Sequence, residues 1–236
     1  STKIGRQTIT MNDQRYLANG AWALGGRTFD AAILKSQWES GFWHGGLIQL
    51  NEGGSYTPTD CVEDDCVVQS NGDLLWYWNA EQTWKDLTLK PYYLHLRQNP
   101  TENDLEKERR LHSPGLQITG QSDAAFYMME GTYQFGQASP SVDHQAWMAA
   151  GEIGYQKDRF KTSLYIEHNT GDADATDNVD TALESFIGRY HGLRGLGDQV
   201  GGTNLQDAAV KITAPIQDKW SGHIQAHNFR MDQATG

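Results

Sequence analysis

Hydrophobic and polar positions alternate with a period of two over much of this chain, the pattern of strands with two unlike faces. The clearest case is 125–135, where Ala125, Tyr127, Met129, Tyr133 and Phe135 share one side and Glu130, Thr132 and Gln134 the other. Strands of this kind are predicted over 3–11, 28–37, 42–52, 73–84, 87–98, 116–121, 125–135, 144–156, 160–169, 204–214 and 219–231. In the second, Phe29, Ala31 and Ile33 oppose Thr28, Asp30 and Ala32. In the fifth, Tyr92, Leu94 and Leu96 oppose Tyr93, His95 and Arg97, and Pro91 predicts an edge or a bulge nearby. Trp147, Ala149, Ile153 and Tyr155 read as outward, Leu164 and Ile166 oppose Lys161, Ser163, Tyr165 and Glu167, and Ala208, Val210 and Ile212 oppose Asp207, Ala209 and Lys211. Residues 101–110 read as a short helical turn within a loop. About eleven strands joined by interleaved short and long connections predict an all-β fold, an antiparallel transmembrane β-barrel.

Composition narrows this only in part. No segment approaches the roughly 18 consecutive apolar residues of a spanning helix, which excludes a helical membrane protein. A hydrophobic fraction of 38% and a mean hydropathy of -0.65 remain compatible with a barrel, because only alternate residues face lipid. The 8 Trp, 10 Tyr, 7 Phe and 25 Gly suit interfacial girdles and tight turns, and suit a soluble β-sandwich almost as well. The cluster Trp76, Tyr77, Trp78 and Trp84 fits either a strand crossing the membrane interface or a core strand.

The net charge of -11 argues against a nucleic-acid partner. Half of the 30 acids fall in three predicted loops, around Glu52 to Asp73, Glu102 to Glu108 and Asp172 to Glu184, so the strand-forming remainder is slightly basic. Cys61 and Cys66, the only cysteines, lack both a zinc-site count and the C-x-x-C spacing. A small loop disulfide between them is preferred over free thiols and implies an oxidising compartment.

Two ordered blocks carry a resemblance. The first is Gly5-Arg6-Gln7, Asn12-Asp13-Gln14-Arg15, Trp22 and Arg27-Thr28-Phe29-Asp30-Ala31. The second is Phe186, Tyr190-His191-Gly192, Gly197-Asp198 and Thr203-Asn204-Leu205 leading into a strand and Pro215. Together they resemble the alginate export family of outer-membrane porins. The resemblance implies a bacterial outer-membrane location, a lipid environment, and passive passage of anionic solutes such as an acidic polysaccharide or small organic acids. Family barrels have about eighteen strands, so residues 1–236 are expected to be one barrel domain lacking strands at both ends.

The expected solute path is lined by Arg6, Arg15, Arg27, Arg97, Lys161 and Lys211, with Asp30 and Glu130 as counter-charges. Arginine forks suit carboxylated solutes; the alternative is that these arginines only pair with acids across the wall. Asp172, Asp174, Asp177 and Asp180 offer oxygen donors to calcium, although without EF-hand spacing, against a plain solvated acidic loop. Apart from that ion no cofactor is expected. Among eight histidines there is no H-E-x-x-H, and no G-x-S-x-G occurs; a Ser163 and His168 pair has no supporting spacing, so no enzymatic activity is expected. A functional alternative from another class is a secreted carbohydrate-binding β-sandwich, which unlike a barrel would stay soluble without detergent.

Overall fold

A computed structural model describes residues 1–20, 26–50, 55–56, 68–69, 72–99, 108–189, 191–195 and 199–234. Its strands are β1 (Thr2–Gln7), β2 (Phe29–Trp38), β3 (Gly41–Gln49), β4 (Ser55–Tyr56), β5 (Val68–Gln69), β6 (Leu74–Trp84), β7 (Leu87–Gln98), β8 (Arg109–Ser122), β9 (Ala125–Ser139), β10 (Val142–Lys157), β11 (Phe160–Asn169), β12 (Val179–Asp180), β13 (Leu205–Gln217) and β14 (Trp220–Arg230). A single helical turn, α1, covers His191–Arg194. Eleven strands form one antiparallel wall in the order β1-β2-β3-β6-β7-β8-β9-β10-β11-β13-β14. Strand β12 adds a short parallel pairing to β10, and β4 with β5 makes a separate two-stranded sheet. Among the described residues β1 and β14 do not pair, so the wall is open. Among the described residues no second large sheet packs on it, as a sandwich would require.

Connections at one end of the wall are two-residue turns: 39–40, 85–86, 123–124, 158–159 and 218–219. The first turn residues Lys85, Asp123 and Asp158 have φ of 51°, 47° and 51°, the backbone that tight hairpins demand. The other end carries the long segments 8–28, 50–73, 99–108 and 170–204, and one two-residue turn, 140–141. This asymmetry is that of outer-membrane barrels.

Exposure separates the two faces. Met129, Ile153, Leu164, Ile166, Val210, Ile212 and Ile224 form an exposed apolar band. Toward the turns it is bordered by Trp38, Trp84, Tyr127, Tyr155, Phe160 and Trp220, and toward the long segments by Tyr133, Phe135 and Trp147. An apolar belt between two aromatic girdles is what a strand wall needs to sit in lipid. Trp76, Trp78 and Trp84 belong to this outward side, while Tyr77 is buried on the other.

The inward face is a packed interior at the long-segment end, since the described residues of segments 8–28 and 170–204 fold over it. Ile9, Met11, Tyr16 and Leu17 from the first and Leu183 from the second join Ile48, Leu75, Leu94, Leu96, Leu111 and Met148 of the wall in one buried cluster. The segments also hold each other: Ile187 N–H donates to Tyr16 O (3.0 Å), Ala18 N–H to Ile187 O (3.1 Å) and Arg189 N–H to Gln14 O (2.9 Å).

Three local expectations change. The first strand ends at Gln7, because the chain then leaves the wall to cover the interior. Pro91 lies within β7 and keeps its pairing to Leu116 of β8; only the ladder to β6 lapses, between Asn79↔Tyr92 and Gln82↔Leu89. Strand β8 starts at Arg109, so the expected helical turn over 101–110 does not include Arg109 and Arg110; residues 101–107 lie outside the described residues.

Leu164→Arg or Val210→Arg, both on the exposed band, should cost about 2–4 kcal/mol if the position sits near the bilayer midplane. Equilibrium unfolding from lipid vesicles checks this, and a loss below about 0.5 kcal/mol at both positions would reject the assignment of this face to lipid.

Candidate functional site

The inward face is organised around a guanidinium. Arg15, from segment 8–28, has a side chain only 4% exposed. Its Nε donates to Glu130 Oε2 of β9 (3.1 Å), its Nη1 pairs with Glu167 Oε1 of β11 (2.9 Å), and its Nη2 donates to Tyr165 Oη and Asp13 Oδ2 (3.1 Å each). The two glutamates, still more buried, have further donors. Glu130 accepts from Tyr92 Oη (2.8 Å) and Gln117 Nε2 (3.0 Å), and Glu167 from Tyr165 Oη (2.6 Å), Asn169 Nδ2 (2.8 Å) and Arg194 Nη2 (2.5 Å). Two arginines brought in by loops thus meet two glutamates presented by strands, and each buried glutamate has a guanidinium partner as burial requires. A Cβ at Gly115 would come within 2.3 Å of the Tyr92 ring, so glycine leaves room for this tyrosine to reach Glu130.

Segment 170–204 is fastened by a second set of contacts. Arg109 Nη1 donates to Glu184 Oε2 (2.6 Å), Gln134 Nε2 to Glu184 O (2.9 Å), and Glu184 N–H to Gln134 Oε1 (2.8 Å). The Asp180 carboxylate accepts from His144 Nδ1 (3.3 Å) and Ala182 N–H (2.9 Å). Asp232 Oδ2 accepts from Gly171 N–H (3.0 Å), and Asp232 Oδ1 lies 3.1 Å from His168 Nε2. Burial works to raise the Asp180 pKa, but His144, Ala182 and Arg109 outweigh it and hold the group below its ordinary value. Asp232 is held low in the same way, with burial opposed by Gly171, Gln206, His168 and Gln233. Phe186, at φ 46°, packs edge-on against Tyr16 with ring centroids 5.9 Å apart. A bulky residue in the left-handed region marks strain where the two segments meet.

The residues expected along the path divide into three places. Arg15 and Glu130 meet in the interior. Lys161 and Lys211 face inward nearer the turns: Lys161 Nζ lies 4.3 Å from the Phe126 ring centroid, and Lys211 Nζ is 3.3 Å from Glu152 Oε2. Arg6 and Asp30 form a two-bond pair (Nε–Oδ1 3.1 Å, Nη2–Oδ2 2.7 Å) on the side opposite buried Phe29 and Ala31. With Arg27, whose Nη1 donates to Ile187 O (3.3 Å), they border a cavity of about 620 Å³. Arg97 also points outward, because its neighbour Leu96 is the one buried.

The four aspartates read as calcium donors accept from their own loop: Asp172 from Asp174 N–H, Asp174 from Thr176, Asp177 from Val179 N–H and Asp180 from Ala182 N–H. Among the described residues no group of three or more His, Cys, Asp or Glu is placed to hold a metal ion. Cys61 and Cys66 lie outside the described residues. Ser163 and His168 occupy opposite faces of β11; the serine donates to Glu152 and the histidine stacks on Trp147 at 4.5 Å. Sequence reading missed Arg109 and Arg194, because nothing local tells that Arg109 seats on a glutamate 75 residues later or Arg194 on one 27 residues earlier.

A strand wall with an apolar belt, two aromatic girdles and a charged inward face covered by inserted segments defines an outer-membrane β-barrel protein of porin type. The profile of the alginate export family matches residues 1–236, and the chain belongs to that family, placed in the bacterial outer membrane. No curated protein matches it in sequence. Similar solved structures are Pseudomonas aeruginosa OccK7 (OpdD), with a TM-score of 0.54 at 13% identity over 90% of this chain and 53% of that one, and OccK8 (OprE), with 0.53 at 13% identity over 90% and 57%. The chain therefore spans about half the length of these structures.

Removing Arg15 tests the buried network. Arg15→Met should destabilise the protein by about 3–5 kcal/mol, since it strands two buried carboxylates, and adding Glu130→Gln should recover part of the loss. Thermal unfolding in detergent reads both, and a single variant within about 0.5 kcal/mol of the parent would count against the network. Acid tests the second set of contacts. Carboxyl pKa values lowered by folding add stability above the unfolded values that is lost as pH falls through the lowered ones. Below about pH 4, then, the amides of segment 170–204 should exchange faster relative to the wall. Equal protection at pH 3 and pH 7, after correction for intrinsic rates, would contradict this.

Proposed function

We propose that this chain forms part of the wall of an outer-membrane channel for passive passage of anionic solutes, with segments 8–28 and 170–204 narrowing its outer part. The observation that carries the reading is the charge of the inward face on the turn side of those segments. Strand alternation places Lys3, Lys35, Lys90, Lys161 and Lys211 there, against Glu81 and Glu152. Lys90 pairs with Glu81 and Lys211 with Glu152, both at 3.3 Å, which leaves Lys3, Lys35 and Lys161 without an acid on that stretch. The Arg15 network, paired and buried, supports the inserted segments rather than attracting solute. A cationic stretch beneath a constriction favours anions through the field it sets up, with no cofactor or energy source in the wall. Acidic polysaccharide and small organic acids both fit that charge, in line with the family's name. The OccK neighbours support the porin-type fold.

The full-length protein in a planar bilayer under a salt gradient should give a reversal potential of anion sign. Lys35→Glu with Lys161→Glu should move it toward the cation side. Cation preference in the unaltered channel, or no movement in the double variant, would overturn the proposal.

A further inference from the structure

On the outward face, next to the long segments, Arg97 of β7 and Arg110 of β8 are direct cross-strand partners. Both point outward because Leu96 and Leu111 beside them are buried in the interior. Like charges directly opposite one another on a sheet face repel. Arg110 shares its charge with Glu108. Arg97 has no hydrogen-bond or ion-pair partner among the described residues, and its Nε is shielded from water. Asp143 on this face lies two strands from Arg110, across Gln137.

One step toward the apolar band, the partners His95 and His112 stack with ring centroids 4.2 Å apart and 18° between planes. Trp76 lies 5.2 Å from His95, Phe135 5.2 Å from His112, and Tyr93 Oη is 2.6 Å from His112 Nδ1. Four neighbouring strands thus carry a row of stacked rings, edges outward, beneath a pair of guanidiniums and beside the girdle of Tyr133 and Trp147. Such a face has solvated headgroups above it and acyl chains below.

We infer that Arg97 and Arg110, with the Trp76–His95–His112–Phe135 row, bind a phosphorylated glycolipid of the outer leaflet. The guanidinium forks match phosphate oxygens, and an anion between them gives Arg97 the counter-charge that Glu108 supplies to Arg110 alone. The outward edges of the stacked rings offer a rigid apolar and polar rim against which the sugar that carries the phosphate can pack, and the apolar band continues beneath it for the acyl chains. This rests on the reading that the outward face contacts lipid with the long segments on the outer side.

The test uses the full-length protein in phosphatidylcholine nanodiscs, with lipid bound per protein measured by native mass spectrometry. Diphosphorylated lipid A should bind about tenfold tighter than the same lipid stripped of its phosphates. Arg97→Gln with Arg110→Gln should abolish that preference, Arg97→Lys should weaken it partially, and Lys157→Gln near a turn should leave it intact. Equal binding of the two lipids, or an unchanged preference in the double glutamine variant, would overturn the site. Full competition by millimolar inorganic phosphate would also overturn it, by assigning the pair to a free anion. Failure to enter nanodiscs at all would instead refute the membrane reading, and conductance measured in parallel keeps the two failures apart.

Discussion

A guanidinium taken out of water has to find carboxylates, and carboxylates taken out of water have to find it; neither side can be buried first without cost. Arg15, Glu130 and Glu167 meet under this constraint, and the interior depends on it. The glutamates stand on strands whose outward neighbours face lipid, so they can point only inward. There the apolar surfaces of Leu94, Leu96 and Leu111 also need cover. Segment 8–28 supplies both, with Arg15 for the charges and Ile9, Met11, Tyr16 and Leu17 for the apolar patch. Segment 170–204 completes it through Arg194 and Leu183.

Two kinds of interior follow along one face. Where the segments reach, the wall is sealed by packing and ion pairs, and water has little room. Where they do not, lysines outnumber acids and side chains such as Lys161 rest on an aromatic ring with their charge turned to the open side. Packing is therefore concentrated in one part of the face and the unbalanced field in the other, a division that, under the proposed channel function, would let a constriction hold its shape without itself gripping a solute.

Strand-by-strand alternation could be read without a structure because lipid and interior impose opposite demands on successive residues. The outward set on β10, the opposed sets on β11 and β13, and the two faces of β9 all stand as the pattern gives them. What alternation cannot tell is which face is inward when an inserted segment makes part of the interior apolar. On β7 the leucines are inside and His95 and Arg97 outside, the reverse of what a uniformly hydrated lumen would require. Arg15 could be singled out from its motif, but its partners could not, since pairing with Glu130 and Tyr165 is set by how two long segments cross the wall. Arg194 offered no local signal at all.

Arg15 stands 115 residues before Glu130 and 150 before Tyr165. Contacts so distant along the chain close late, because the intervening strands must already be in register to present both partners. The Arg15 segment therefore cannot take its seat until β9 and β11 are in place. Until then its apolar residues, Ile9, Met11, Tyr16 and Leu17, have no surface to cover, so the seating of this segment reports that the strands behind it stand in register.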